Sequence, residues 1–236
     1  MATLVIVHGS WGGGWEWAPI ARGLRERGHE VFTPTLTGLG ERAHLGGAEV
    51  GLGVHIEDVY ALLAFEELSD VILCGHSYAG MVVTGVADRA PDRIRRLVYL
   101  DAFVPRHDQA LHDLLPTEVA QALVESARAG RIPIPVELLP PEGALPEEVR
   151  ARYIARLRPH PVASQVEPLQ LSGAVESLPR GFVRCTGEDP DGDMTAPFAE
   201  RGRAEGWLYR ELPTAHDLHV LDPEGTTAIL DELARA

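Results

Sequence analysis

A serine, a histidine and a group of carboxylates occur in this sequence in an order that suits nucleophilic catalysis. Ser77 follows a short apolar run in the segment VILCGHSYAG. A hydroxyl is a weak nucleophile at neutral pH, so it needs a base to accept its proton and a carboxylate to orient that base. His216, in PTAHDLH, lies between the last strand-like run and the last helical pattern, and we predict that it is the base. We interpret His219, three residues later, as a structural or surface residue.

The carboxylate of such a triad has several candidates. The loop CTGEDPDGD follows a late strand-like run and provides the chain order serine, acid, histidine. We predict that Asp189 is the acid, although spacing does not exclude its neighbours Glu188, Asp191 and Asp193. Asp101, at the end of the earlier run RIRRLVYLDAF, is a further alternative because the ends of parallel strands share one edge of a sheet. We predict no metal site, since a calcium loop that began at Asp189 would lack the glycine required at its sixth position.

The residues around Ser77 predict a sharp turn between a buried strand and a helix. The run VILC is apolar and rich in β-branched residues, and AGMVVTGVADRA carries apolar residues at a helical period. A serine at such a turn projects above the sheet, and the N-terminus of the helix points at it. Glycines are expected two places either side of the serine. Gly75 fits, whereas the second position is Ala79, followed by Gly80.

Backbone donors for a developing oxyanion are expected near the serine. We predict the amide of Tyr78, which follows the nucleophile, and the amide of Ser10 in the loop after the first strand, with Trp11 as second choice. Gly9 would let a substrate carbonyl approach the backbone, and Trp11 and Trp15 are expected in the substrate pocket. Two histidines flank these turns and are expected to pack or to bond to the backbone: His8 and His76.

Strand-like runs alternate with helical patterns in both terminal parts of the chain. This alternation predicts an α/β fold with a parallel sheet covered on both faces. We expect a mostly parallel six-stranded sheet, with strands in residues 3–7, 29–36, 71–74, 93–103, 181–187 and 207–212. Residues 105–179 carry helical patterns without a convincing core strand, which predicts a helical cap inserted before the last two strands. The core would then comprise residues 1–104 and 180–236.

The composition argues against several classes of partner and site. The 236 residues include 21 arginines and 35 acidic residues, so the net charge is 21 − 35 = −14 with histidine neutral. Nucleic acids and anionic membranes need a basic patch, so neither is expected as a partner. The sequence has no lysine, which excludes a Schiff-base lysine and a phosphate-loop lysine.

The sequence also suggests a location and the kind of ligand. It contains no targeting pattern and no apolar run of ~20 residues, and its two cysteines, Cys74 and Cys185, lie far apart in strand-like runs. We therefore expect a cytoplasmic protein with reduced thiols. The expected partner is a small-molecule substrate, with no cofactor. A homodimer is one option for the assembly.

Five motifs together resemble the small plant-esterase and hydroxynitrile-lyase branch of the α/β-hydrolase superfamily and its bacterial pyrethroid-hydrolase-like relatives. They span nearly the whole chain and read VIVHGSWGGGWEW, CGHSYAGMV, VYLDAFVP, CTGED and TAHD. The resemblance implies a core of parallel strands, a helical cap and a Ser-His-Asp triad that falls on Ser77, His216 and Asp189.

Two departures from this branch argue against cyanohydrin cleavage. The members that cleave cyanohydrins carry a threonine where Gly9 stands and a lysine where Asp217 follows the histidine. We therefore expect a serine hydrolase that cleaves small, uncharged, fairly apolar carboxylic esters or lactones through an acyl-enzyme. The alternatives are a non-hydrolytic step on a secondary metabolite, such as isomerisation, cyclisation or cofactor-free oxygen chemistry, and a non-catalytic small-molecule-binding protein.

Overall fold

The computed structural model describes residues 1–47, 49–187 and 193–236. A six-stranded sheet in the order β2-β1-β3-β4-β7-β8 forms its centre, and every neighbouring pair in it is parallel. A second, two-stranded antiparallel sheet joins β5 and β6. The strands are β1 (Thr3–Val7), β2 (Glu30–Phe32), β3 (Val71–His76), β4 (Ile94–Leu100), β5 (Arg131–Ile132), β6 (His160–Pro161), β7 (Arg180–Cys185) and β8 (Leu208–Leu212). The predicted α/β fold with a six-stranded sheet is confirmed.

Helices follow most of the strands. They are α1 (Ala18–Glu26), α2 (Leu52–Phe65), α3 (Ala79–Arg89), α4 (Thr117–Ser126), α5 (Glu147–Ile154), α6 (Ala163–Val166), α7 (Ala196–Ala204), α8 (Leu218–Leu221) and α9 (Pro223–Arg235). Within the described ranges, none of these helices combines the length and the apolar character needed to cross a bilayer.

The sheet is buried on both faces by two separate apolar clusters. Successive side chains of a strand point to opposite faces. In β1, Val5 and Val7 belong to the cluster that contains residues of α2 and α3, whereas Leu4 and Ile6 belong to the cluster that contains residues of α1 and α9. Strands buried on both faces are apolar without alternation, which explains the continuous runs in the sequence.

Two elements are shorter than the sequence predicts, and proline explains both. The second strand ends at Phe32 rather than at residue 36, because Pro34 has no amide to give to a neighbouring strand. The helical pattern from residue 111 is divided into a 3-10 turn, Leu111–Leu114, and α4, because the residue before Pro116 is disfavoured in the helical conformation.

The segment between β4 and β7 contains α4, α5, α6 and the small β5–β6 sheet. We call residues 105–179 the cap, the boundaries expected from the sequence. Hydrogen bonds attach it to the loop after β1: Trp11 Nε1 donates to the Ile132 carbonyl at 3.2 Å, and the Arg158 amide donates to the Trp11 carbonyl at 2.8 Å. The cap is therefore fixed to the part of the core where the site residues lie.

Candidate active site

Ser77 lies at the turn between β3 and α3 with a positive φ of 54°. Few residues other than glycine adopt this conformation, so the surrounding structure must hold it. The Ser77 amide donates to the Leu100 carbonyl at 3.3 Å, and the Ser77 carbonyl accepts from the amides of Gly80 at 3.0 Å and Phe103 at 3.2 Å. The turn is thus tied to the end of β4 and the residues after it, and Ser77 lines a cavity of about 540 Å³.

The glycines around this turn are needed for close packing. A Cβ atom at Gly75 would lie 2.6 Å from Val83 Cγ2 and 2.7 Å from the Ala79 carbonyl oxygen. A Cβ atom at Gly80 would collide with the Phe103 carbonyl oxygen. Gly80 is therefore the residue that lets the start of α3 pack closely against the backbone after β4. The methyl group of Ala79 fits into the buried interior.

His216 lies in the loop after β8, and its ring contacts a carboxylate. Its Nδ1 atom is 2.7 Å from Oδ2 of Asp101, whose side chain is 6% exposed. A carboxylate accepts this hydrogen bond, so Nδ1 carries the proton and Nε2 of the neutral ring keeps its lone pair. This is the tautomer that a base needs to accept a proton from a serine hydroxyl.

The Asp101 carboxylate is held by two further donors. Its Oδ1 atom accepts from the Cys185 amide at 3.0 Å and from the Thr195 hydroxyl at 2.9 Å. Asp101 itself follows β4 with a φ of 44°. The structure thus brings Asp101, the alternative acid of the sequence analysis, to His216. Asp189 and Glu188 lie outside the described residues.

The predicted oxyanion donors lie on two loops beside Ser77. Tyr78 immediately precedes α3, where the first amides of a helix have no partner within the helix. Ser10 lines the cavity together with Gly9 and Trp11. The Trp11 amide lies 3.5 Å from His160 Nδ1, so the local geometry favours Ser10 over Trp11 as the second donor.

The side chain of Tyr78 has a different role from its amide. It is fully buried, and its hydroxyl is 2.7 Å from His55 Nδ1. His55 Nε2 donates to the Thr37 carbonyl at 2.9 Å, so Nδ1 is the acceptor and the tyrosine hydroxyl is the donor. Burial lowers the pKa of His55 to about 4, which keeps the ring neutral.

His8 and His76 bond to the backbone, as the sequence analysis expected. His8 Nδ1 donates to the Gly9 carbonyl at 2.8 Å, and its Nε2 accepts from the Leu36 amide at 3.0 Å. His76 Nε2 donates to the His216 carbonyl at 3.0 Å. Burial lowers the pKa of both rings, so they join loops around the site as neutral groups.

The site opens into a cavity of about 540 Å³ between core and cap. Ser77, His216 and Asp101 all contribute to its wall, as do Gly9 and Trp11. Most of the cap residues in the wall are apolar, among them Leu111, Leu115, Val119, Leu123, Ile134 and Leu138. Such a cavity is suited to an organic ligand with few polar groups.

Trp15, expected in the pocket, is not among the described residues of the cavity wall. Its ring packs against that of Tyr153 with 5.6 Å between centroids, and the Arg156 guanidinium lies over it at 5.2 Å. Tyr153 does line the cavity. Trp15 therefore packs behind Tyr153 and is not itself part of the described cavity wall.

The cavity residues that were not predicted as site residues include Glu16, Tyr153 and His219. Glu16 and His219 are buried, and the ring of His219 stacks on Trp17 with 5.1 Å between centroids. The signal in the sequence is a single acidic residue between two tryptophans in the glycine-rich loop, which is an unusual neighbourhood for a surface carboxylate.

Comparison with known proteins places this arrangement in a family. The model of the "Alpha/beta hydrolase family" matches residues 4–229. The chain is 41% identical over 237 residues to a carbendazim hydrolyzing esterase from Nocardioides sp. (strain SG-4G), covering 93% of this chain and 94% of that protein. It is 31% identical over 104 residues to a pyrethroid hydrolase from Sphingobium wenxiniae, covering 43% of this chain and 36% of that protein.

A solved structure shows the same fold over the full length. It is that of an extracellular α/β-hydrolase from a Paenibacillus species, with a TM-score of 0.88, 24% identity and 100% of both chains covered. The sequence relatives support the prediction of an esterase-type enzyme, and the family match extends over nearly the whole chain. The chain therefore belongs to the α/β-hydrolase family.

Proposed function

We propose that this enzyme hydrolyses small, uncharged carboxylic esters or lactones through an acyl-enzyme on Ser77. The observation that carries the proposal is the 2.7 Å contact between His216 Nδ1 and Asp101 Oδ2, in the wall of the same cavity as Ser77. It gives the histidine the tautomer of a general base in a cavity that is also lined by a serine held in a strained turn.

The reaction proceeds in two halves. His216 Nε2 accepts the proton of the Ser77 hydroxyl as Oγ bonds to the carbonyl carbon, and the carbonyl oxygen becomes an oxyanion that the amides of Tyr78 and Ser10 stabilise. His216 then gives the proton to the leaving alcohol as the ester bond breaks. Water attacks the acyl-enzyme with His216 again as base, which releases the acid and restores Ser77.

Asp101 is the acid that we propose for this triad. It orients His216 and supports the positive charge that the ring carries during each half-reaction. The contacts from Cys185 and Thr195 support this role, because they fix the carboxylate toward the ring. Asp189, which the sequence and the family resemblance favour, remains the competing proposal and is tested against Asp101 below.

The substrate class follows from the cavity and from the relatives. An apolar wall favours an uncharged organic ester, because a charged group would lose its hydration there. The relative with 41% identity is named for hydrolysing carbendazim, so we propose carbendazim as one compound to test beside simple methyl esters.

A fluorophosphonate probe tests the nucleophile directly. We expect the wild-type protein to be labelled at Ser77 and to hydrolyse methyl esters, and the Ser77→Ala variant to do neither. Ser69→Ala, which changes an exposed serine, is the matched control and should behave as wild type. Labelling that persists in Ser77→Ala would overturn the assignment.

A further inference from the structure

A second group of polar side chains lies in the mostly apolar cavity wall, apart from the proposed triad. Glu16 belongs to the loop after β1, His219 to α8, and Tyr153 to α5 of the cap. The side chains of Glu16 and His219 are 4% and 3% exposed. A carboxylate buried in a mostly apolar wall needs donors around it, because the loss of its hydration is costly.

Glu16 accepts from one backbone amide and from the Tyr153 hydroxyl, and a carboxylate has about four acceptor sites, so it can accept from a further donor. Its Oε2 atom accepts from the Gly13 amide at 3.2 Å, whereas its Oε1 atom is 3.8 Å from His219 Nε2, beyond hydrogen-bond distance. Among the described residues, no arginine forms an ion pair with Glu16. His219 Nδ1 is buried and has no hydrogen-bond partner within the same described ranges.

Tyr153 closes this group from the cap side. Its hydroxyl is 3.4 Å from His219 Nε2. Burial, followed by the charges of Asp217 and Glu16 and by a side-chain hydrogen bond to Glu16, raises its pKa well above the ordinary value, so the hydroxyl stays neutral and donates to the carboxylate. The group therefore combines a carboxylate acceptor, an imidazole and a hydroxyl at one place in the cavity wall.

We propose that Glu16 selects esters that carry a neutral N–H donor, which its carboxylate accepts inside the cavity. The inference rests on the proposed esterase function and adds a substrate feature to it. Glu16 acts here as a specificity residue: it binds a part of the substrate away from the ester carbonyl and takes no part in proton transfer at Ser77.

Desolvation determines how this preference can be measured. An amino group loses more hydration than a methyl group of similar size on entering an apolar cavity, so the apolar wall alone favours the methyl compound. A charge-assisted hydrogen bond to a buried carboxylate reverses that order. Sites built to bind a substrate N–H discriminate strongly against analogues that lack it.

The first experiment uses the wild-type enzyme and two pairs of esters. The pairs are methyl 3- and 4-aminophenylacetate and the corresponding 3- and 4-methylphenylacetates. We expect kcat/KM for the amino ester to exceed that for its methyl partner by about tenfold or more in at least one pair. We also expect the dimethylamino ester, which has no N–H, to lose this advantage. A preference for the methyl ester in both pairs would overturn the proposal.

The second experiment compares Glu16→Gln with a matched control. The amide retains an acceptor for the Gly13 amide but removes the charge, so the amino-to-methyl ratio of kcat/KM should fall by about tenfold. Glu57→Gln removes the same charge from the exposed pair with Arg89 and should keep the wild-type ratio. An unchanged ratio in a folded Glu16→Gln enzyme would contradict the proposal, because another group would then accept the N–H.

The two proposals fail in different ways. If Ser77 is not labelled and no ester is hydrolysed, the proposed function is wrong. If the methyl esters are hydrolysed but the amino esters have no advantage, the esterase assignment holds and the role of Glu16 is wrong. The wild-type ratio decides this second case even if Glu16→Gln does not fold.

Discussion

Asp101 Oδ2 lies 2.7 Å from His216 Nδ1, although the two residues are separated by 115 positions in the chain. The order of the strands explains the contact. β4 lies between β3, which leads to Ser77, and β7, so the residue that follows β4 is central at the edge of the sheet where the site is built. Parallel strands with their carboxyl ends at one edge therefore bring distant residues into a single site.

The first prediction concerns the acid of the triad. In Asp101→Asn, the side-chain oxygen remains the acceptor for the Cys185 amide and the Thr195 hydroxyl, so the new NH₂ group faces His216 Nδ1. This forces the tautomer in which Nδ1 is the acceptor and Nε2 cannot act as a base. We expect kcat/KM for a methyl ester to fall by about 10⁴-fold.

Asp189→Asn is the competing variant, and Asp70→Asn, at an exposed position, is the control. We expect Asp189→Asn to lower kcat/KM by less than about tenfold and Asp70→Asn to have no effect. A loss in Asp189→Asn as large as that in Asp101→Asn would show that the two carboxylates act together. A larger loss in Asp189→Asn would assign the role to Asp189.

The second prediction separates the amide of Tyr78 from its side chain. Tyr78→Phe removes the hydroxyl that donates to His55 Nδ1 at 2.7 Å and leaves a buried acceptor without its partner. We expect the free energy of unfolding to fall by about 1–3 kcal/mol, as measured by urea denaturation. kcat/KM should change by only a few-fold, because the backbone amide that we propose as an oxyanion donor is kept.

The control for this variant is Tyr60→Phe. Tyr60 lies under the Arg89 guanidinium, a contact that phenylalanine preserves, so stability should not change measurably. If Tyr78→Phe abolishes turnover without loss of stability, the hydroxyl itself takes part in the chemistry and our assignment of the amide is incomplete.

The third prediction concerns the tight turn around Ser77, the proposed nucleophile. In Gly75→Ala, the new methyl group would lie 2.6 Å from Val83 Cγ2 and 2.7 Å from the Ala79 carbonyl oxygen, so α3 must move away from β3. We expect a loss of about 1–3 kcal/mol in the free energy of unfolding from overpacking. We also expect a fall of about 10²-fold in kcat/KM from the displaced serine.

Ala79→Gly is the matched variant for this turn, because it restores the glycine that is usual two places after the serine. It removes a methyl group that the structure accommodates without strain, so the expected cost is up to about 1 kcal/mol from lower helix propensity. Activity should remain near the wild-type level. Equal losses in Gly75→Ala and Ala79→Gly would mean that packing across the turn is not the cause.

Local sequence predicted the elements that carry Ser77 and His216, the proposed nucleophile and base. The buried strand and the helix on either side of Ser77 follow from an apolar run and a helical period, and His216 follows the last strand. These patterns are local, so neighbouring residues determine them. The six-stranded parallel sheet likewise follows from the alternation of strand-like runs and helical patterns.

Residues whose roles depend on distant contacts were not predictable in the same way. Which carboxylate reaches His216 depends on the order of β3, β4 and β7, and this order is not encoded near Asp101. Trp15 and Glu16 are adjacent in one 3-10 turn, and Glu16 rather than Trp15 lines the cavity, which their order in the sequence does not indicate.

Four buried histidines suggest how stability depends on pH. Burial lowers the pKa of His55 to about 4 and lowers the pKa of three further rings: His8, His76 and His160. In the unfolded chain these side chains titrate near 6.5. The unfolded state therefore binds more protons than the folded state as the pH falls below 6.5, and protons favour unfolding.

The fourth prediction is a loss of stability in mild acid. The stability that these neutral rings contribute to the free energy of unfolding is fully present above pH ~6.5 and is lost as the pH falls. His55 alone should lower the free energy of unfolding by roughly 3 kcal/mol when the pH reaches its folded pKa of about 4. Urea denaturation at intervals between pH 7.5 and pH 4 should show this decline.

His55→Gln removes one titrating ring, so the slope of the free energy of unfolding against pH should decrease by the equivalent of about one bound proton. His44→Gln, at an exposed position, is the control and should leave the slope unchanged. A free energy of unfolding that is constant between pH 7 and pH 5 would show that the buried rings bind protons without cost to the fold.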